Sequence, residues 1–161
     1  MVGKSFLSRD ILDKVTGTAK FAGDFSLDGM LEMKILFADS PHAIIKSLST
    51  KRALQAPGVA AIYTAQDIPV NSYGLIINDQ PVLCGERVRS YADQIAAVVA
   101  ETSLQAAHAA SLIEVEYQEL PVLSAPEGAL DPSAIILHQN FPGNIAHQIQ
   151  LRKGDTKRAF A

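Results

Sequence analysis

Residues 79–121 constrain the fold more than any other stretch, because they hold a loop, a buried strand, an alanine-rich helix and a second strand in one short span. Gln94-Ile95-Ala96-Ala97-Val98-Val99-Ala100 is a near-continuous apolar run of strand length, the pattern of a strand covered on both faces. Thr102 and Gln105 then have the T-x-x-Q spacing of a capping box, which opens a helix over 102–113. Alanines at 106, 107, 109 and 110 let that helix lie close to a sheet. The chain returns as Ile113-Glu114-Val115-Glu116-Tyr117, alternating apolar and acidic like a strand with one wet face, and stops at Leu120-Pro121.

Elsewhere the elements are shorter. Met30 to Phe37 alternates strictly, with Leu31, Met33, Ile35 and Phe37 on one face and Glu32 and Lys34 on the other, which predicts a half-buried strand with the first set inward. Ser40-Pro41 is a turn, Ala43 to Leu48 a second strand, and Thr50 an N-cap for a helix over 51–56 that ends before Pro57-Gly58. Val59 to Tyr63 resumes as strand, and Thr64-Ala65-Gln66-Asp67 is a capped single turn cut short by Pro69. Residues 1–25 read as an ordered arm, 26–121 as the core, and 122–154 as a wrapping segment whose alternation from Asn144 to Leu151 predicts a last strand. Over 155–161 a helix begins at Gly154-Asp155-Thr156 with few residues left to extend it. The expectation is a single α+β domain, a mixed sheet with two main helices, that leads a longer polypeptide.

Candidate chemistry is sparse. His42, His108, His138 and His147 show no H-x-x-x-H or H-E-x-x-H spacing that would aim two imidazoles at one metal. Cys84 lacks a local nucleophile signature, and no glycine-rich phosphate loop occurs. Glu114 and Glu116 share a strand face and could form a carboxylate pair; a solvated sheet face is the ordinary reading. Arg87 and Arg89 also share a face and could bind an anion or dock a partner, against ordinary salt bridges and hydrogen bonds to neighbouring loops. No residue is therefore assigned to a catalytic, cofactor-binding or metal site.

A net charge of -3, with both signs interspersed, excludes the basic footprint of a nucleic-acid binder. No apolar run approaches the roughly 20 residues of a membrane helix, and the N-terminal residues lack a secretory segment, so the expected location is cytoplasmic. The lone Cys84 fits a reducing compartment. A rival reading is a free-standing small-molecule-binding or carrier module with a pocket between the sheet and the 102–113 helix. No lysine has the tight-turn setting of a biotinyl or lipoyl attachment site, since Lys34 and Lys46 read as strand and Lys51 as a helix start.

The order of motifs resembles a known family. Arg9-Asp10, Lys14-Val15-Thr16-Gly17, Ala19, Phe21 and Asp24 are similar to the opening of the large, molybdopterin-binding subunits of the xanthine dehydrogenase, aldehyde oxidase and carbon monoxide dehydrogenase family. The resemblance continues through Ser40-Pro41-His42-Ala43, Pro57-Gly58-Val59, Thr64 to Pro69, Asp79 to Leu83, Arg87-Val88-Arg89, Val98 to Glu101, Ile113 to Tyr117, Leu120-Pro121 and Gly154-Asp155. It implies the N-terminal α/β-hammerhead domain of such a subunit, with a structural and docking role. The family's molybdopterin-contacting residues and catalytic glutamate lie beyond Ala161, so none is carried over. Iron–sulfur and FAD groups are implied for partner domains or subunits, and downstream molybdenum-binding domains as the immediate partners. Isolated, such a domain would expose apolar patches and could self-associate. One departure is Ala92, where the family usually has glycine.

Overall fold

The computed structural model describes residues 2, 3, 5, 6 and 8–161; residues 1, 4 and 7 of the arm lie outside the described residues. Strand β5 (Gln94–Ala100) is the centre of the molecule, buried along nearly its whole length as its apolar run requires. It pairs antiparallel with β1 (Glu32–Phe37) on one side and β3 (Val59–Tyr63) on the other. A second three-stranded sheet has β2 (Ala43–Ser49) in the middle, flanked by the short β4 (Arg87–Val88) and by β6 (Glu114–Glu119). The expected single mixed sheet is thus two sheets, and every pairing among the described residues is antiparallel. Alternation within a strand carries no information on its neighbour's direction, so only the assembled chain shows this.

Helix α3 (Ser103–Ser111) closes the first sheet, and α2 (Lys51–Leu54) packs beside it. Ala106, Ala109 and Ala110 are its buried residues, and the small side chains bring its axis down onto β5 and β1. One apolar cluster joins Ala53, Ala96, Val98, Ala109, Ala110 and Ile113. A second joins Ala38, Cys84, Val88 and Ile95, and Leu36, Leu48 and Val115 pack against both. These three side chains tie the two sheets into one interior.

The start of α3 forms as its spacing predicts, with one change. Thr102 Oγ1 accepts from the Gln105 backbone N–H at 3.2 Å. The Gln105 side chain answers to the Thr102 hydroxyl at 2.8 Å and not to its main-chain N–H. Thr102→Ala is expected to cost about 1 kcal/mol of stability through the orphaned helix donor, read as a lower urea midpoint at unchanged slope. Thr50, in contrast, occupies the N-cap position of α2 without any side-chain cap bond.

Two expectations are corrected. Asn144 to Leu151 is not a strand: it lies as coil after a 3-10 turn, with Ile149 and Leu151 largely exposed and no strand beside it. Alternation favours an extended chain, but a strand exists only where another edge supplies hydrogen bonds. On β1 the face expected inward is largely exposed, with Ile35 alone of its four residues half-buried. Leu36 turns inward to both clusters, while Leu31, Met33 and Phe37 are each about half exposed or more. Leu36 sits opposite Ala96 in the register, on the face that α3 covers.

The arm carries the six-residue helix α1 (Ile11–Thr16), which buries no residue and ends on Gly17 at φ 73. After β6 come two further single-turn helices, α4 (Pro126–Ala129) and α5 (Thr156–Ala159), the latter capped by the Asp155 side chain on the Arg158 N–H. Ala92 is not among the positive-φ residues, so alanine meets no left-handed strain where the resembled family has glycine.

Candidate functional site

The densest polar corner forms where β2, β4 and the 137–141 segment meet. His42, just before β2, is buried, and its Nδ1 faces the Pro121 carbonyl at 2.5 Å. Its Nε2 faces Arg87, with Nε at 3.1 Å and Nη2 at 2.8 Å. Because a guanidinium only donates, Nε2 is the acceptor and the proton sits on Nδ1, donating to Pro121. A buried neutral imidazole thus clamps the end of β6 to β4.

Arg89 donates from Nε to the Leu137 carbonyl at 2.8 Å, and the backbone N–H of Arg89 donates to Asp93 at 2.7 Å. The two arginines meet the sequence expectation in part, with hydrogen bonds to neighbouring loops. The ion pairs among the described residues are Lys14–Asp10 and Arg52–Glu114, and the His138 ring lies 3.9 Å from Asp79 as a polar contact. Burial lowers the Arg87 guanidinium below its ordinary value, and Arg89 adds to this. His138 is also lowered, first by burial and then by Arg89. A cleft of about 670 Å³ opens beside these groups, lined by Asp79, Glu86, Arg87, Arg89, His138 and Phe141 among others. It carries charges of both signs.

The remaining sequence candidates are dispersed. Cys84 is 2% exposed and its thiol donates to the Arg87 carbonyl at 2.9 Å. Burial, followed by Asp93, pushes that thiol up, the reverse of an activated nucleophile. Glu114 pairs with Arg52 at 2.7 Å and Glu116 accepts from Ser47 at 3.1 Å, so the two carboxylates serve the solvated face of the second sheet. His108 and His147 are exposed. Among the described residues no group of three or more His, Cys, Asp or Glu could hold a metal ion. The His42–Arg87 contact bridges 45 positions, and no local pattern in the sequence announces it. The space between sheet and α3, where a binding module would hold its ligand, is filled by Ala106, Ala109 and Ala110.

The molecule is two antiparallel sheets, the first closed by one alanine-rich helix, with the polar corner joining loops to strands. Residues 16–121 match the family described as aldehyde oxidase and xanthine dehydrogenase, a/b hammerhead domain, and the chain belongs to that family. It is 47% identical over 148 residues to a probable xanthine dehydrogenase subunit from Bacillus subtilis, covering 91% of this chain and 20% of that protein. It is 39% identical over 162 residues to the nicotinate dehydrogenase large molybdopterin subunit of Eubacterium barkeri, covering 99% and 37%. The solved aldehyde oxidoreductase from Desulfovibrio gigas superposes with a TM-score of 0.78 at 33% identity, covering 83% of this chain and 16% of that one. The fold is the hammerhead that the sequence resembles. The chain spans between a fifth and somewhat over a third of these two curated relatives. No described helix is long and apolar enough to cross a membrane.

Proposed function

We propose that this chain is the N-terminal structural and docking domain of a molybdenum hydroxylase large subunit and carries no reactive centre of its own. The observation that carries this is how the polar corner is used. The side chains best suited to chemistry, His42, Arg87 and Cys84, direct their hydrogen bonds at each other and at main-chain carbonyls. Their work is to hold β4 and the end of β6 in place.

Molybdopterin does not fit the residues present. In the cleft beside Arg87, Nε and Nη2 of Arg87 are engaged by His42, and Nε and Nη1 of Arg89 by the Leu137 and Arg87 carbonyls, while acidic Asp79 and Glu86 would face the cofactor's phosphate. The cofactor therefore belongs to other parts of the subunit, and iron–sulfur and flavin groups to partner domains or subunits. The complete enzyme would insert a water-derived oxygen at an electron-poor carbon of a heterocycle or aldehyde. The domain works in the cytoplasm in this reading.

The purified 161-residue chain is expected to be colourless, to contain no molybdenum, iron or flavin after expression in a host that makes them, and to hydroxylate nothing. Metal analysis and a visible spectrum decide the matter, and molybdenum bound at one equivalent would overturn the assignment.

A further inference from the structure

The outer face of the first sheet is apolar and open along its two edge strands, while Ala97 in its middle is buried. In the register, Met33, Val99 and Ala61 stand side by side across β1, β5 and β3, and Ile35, Ala97 and Tyr63 form the next row. No charged residue occurs among these six. Met33 is 61% exposed and Tyr63 47%, and Leu31 and Phe37 at the two ends of β1 are about half exposed. The opposite face of the same strands is covered by α3. An antiparallel sheet with one solvated face normally turns polar residues to water, as the second sheet does with Glu114, Glu116 and Ser47. Here both faces have the composition of an interior.

We infer that this β1–β5–β3 face is a docking surface for the rest of the same large-subunit polypeptide, and that an apolar surface of a neighbouring domain covers Met33 and Tyr63. This rests on the proposed function. The occupant is argued from size. Six to eight side chains fall well short of the roughly 20–30 residues a side of a stable interface between separate chains. They suit a contact within one polypeptide, where the linker already holds the two surfaces together. The relatives have such a chain: four-fifths of the Bacillus subtilis protein lies outside the matched segment. The sequence pattern assigned this face of β1 to the core.

The test places a thiol on the face. Met33→Cys is made in the isolated chain and in the product of the intact gene, and labelling with a water-soluble thiol reagent is timed beside the unsubstituted protein, whose Cys84 is buried. The expected result is fast labelling in the isolated chain and at least about a hundredfold slower labelling in a longer native product, the protection of a site that opens rarely. Tyr63→Cys repeats the measurement on β3 if the first variant accumulates poorly. Equal rates in a longer product would overturn this inference and leave the proposed function standing. A native product of 161 residues would overturn both. Protection in the isolated chain that rises with its concentration, alongside a doubled mass by light scattering, would make a second copy the occupant and overturn the inference.

Discussion

Ile95→Asp is expected to abolish the cooperative fold. Ile95 is among the largest side chains with no exposure at all, and it sits on the central strand among Ala38, Cys84 and Val88, which bring no positive charge and only a weak thiol donor already given to the Arg87 carbonyl. Burying an unpaired ion costs several kcal/mol after relaxation, and the lost isoleucine packing adds about 2–5 kcal/mol. The sum rivals the whole stability of an ordinary domain, about 5–15 kcal/mol. Loss of the urea transition and of near-ultraviolet dichroism would be the readout. Ile95→Val, which removes one methylene, should cost only about 0.5–1.5 kcal/mol and keep the transition sharp. A folded aspartate variant with a midpoint near that of the valine variant would show that this cluster is not the centre of the fold.

His42→Leu is expected to lower stability by about 3 kcal/mol, or roughly 6–12 °C in midpoint for a chain of this size. The leucine matches the volume but strands three groups: Arg87 Nε and Nη2 lose their acceptor, and the Pro121 carbonyl loses its donor. The diagnostic is the partner. In an Arg87→Met background the histidine replacement should cost at least about 1 kcal/mol less, because the charge that needed the imidazole is gone. Strictly additive losses in the double-mutant cycle would mean that the histidine does not act through Arg87, leaving packing and the Pro121 bond.

Much of the fold was legible because its signals are local. The run from Gln94 to Ala100 forms β5 with those bounds, and Thr102 with Gln105 starts α3, since a continuous apolar run and a cap are each complete within a few residues. Thr64 to Asp67 likewise forms its capped turn, with Asp67 accepting from the Thr64 N–H at 2.7 Å. The bond between His42 and Arg87 was illegible for the opposite reason: it exists only because β2 and β4 are paired, Ala43 against Val88. Neither residue has a neighbour in sequence that hints at the other.

Asn144 to Leu151 and Met30 to Phe37 show where that boundary lies. Both alternate as strands do. One finds a partner edge in β5 and becomes β1; the other finds none and remains coil. Within β1 the alternation sorts Met33 from Leu36 without saying which side α3 will take, because the two faces of a strand are equivalent until something lands on one of them. The sequence by itself determined the elements whose signals are complete within a few residues, such as the β5 run and the cap that starts α3. The tertiary structure decided which strands pair, which face turns inward and what the polar side chains hold, since those outcomes depend on contacts between residues far apart in the chain, whose closure entropy is met only when the whole interior forms at once.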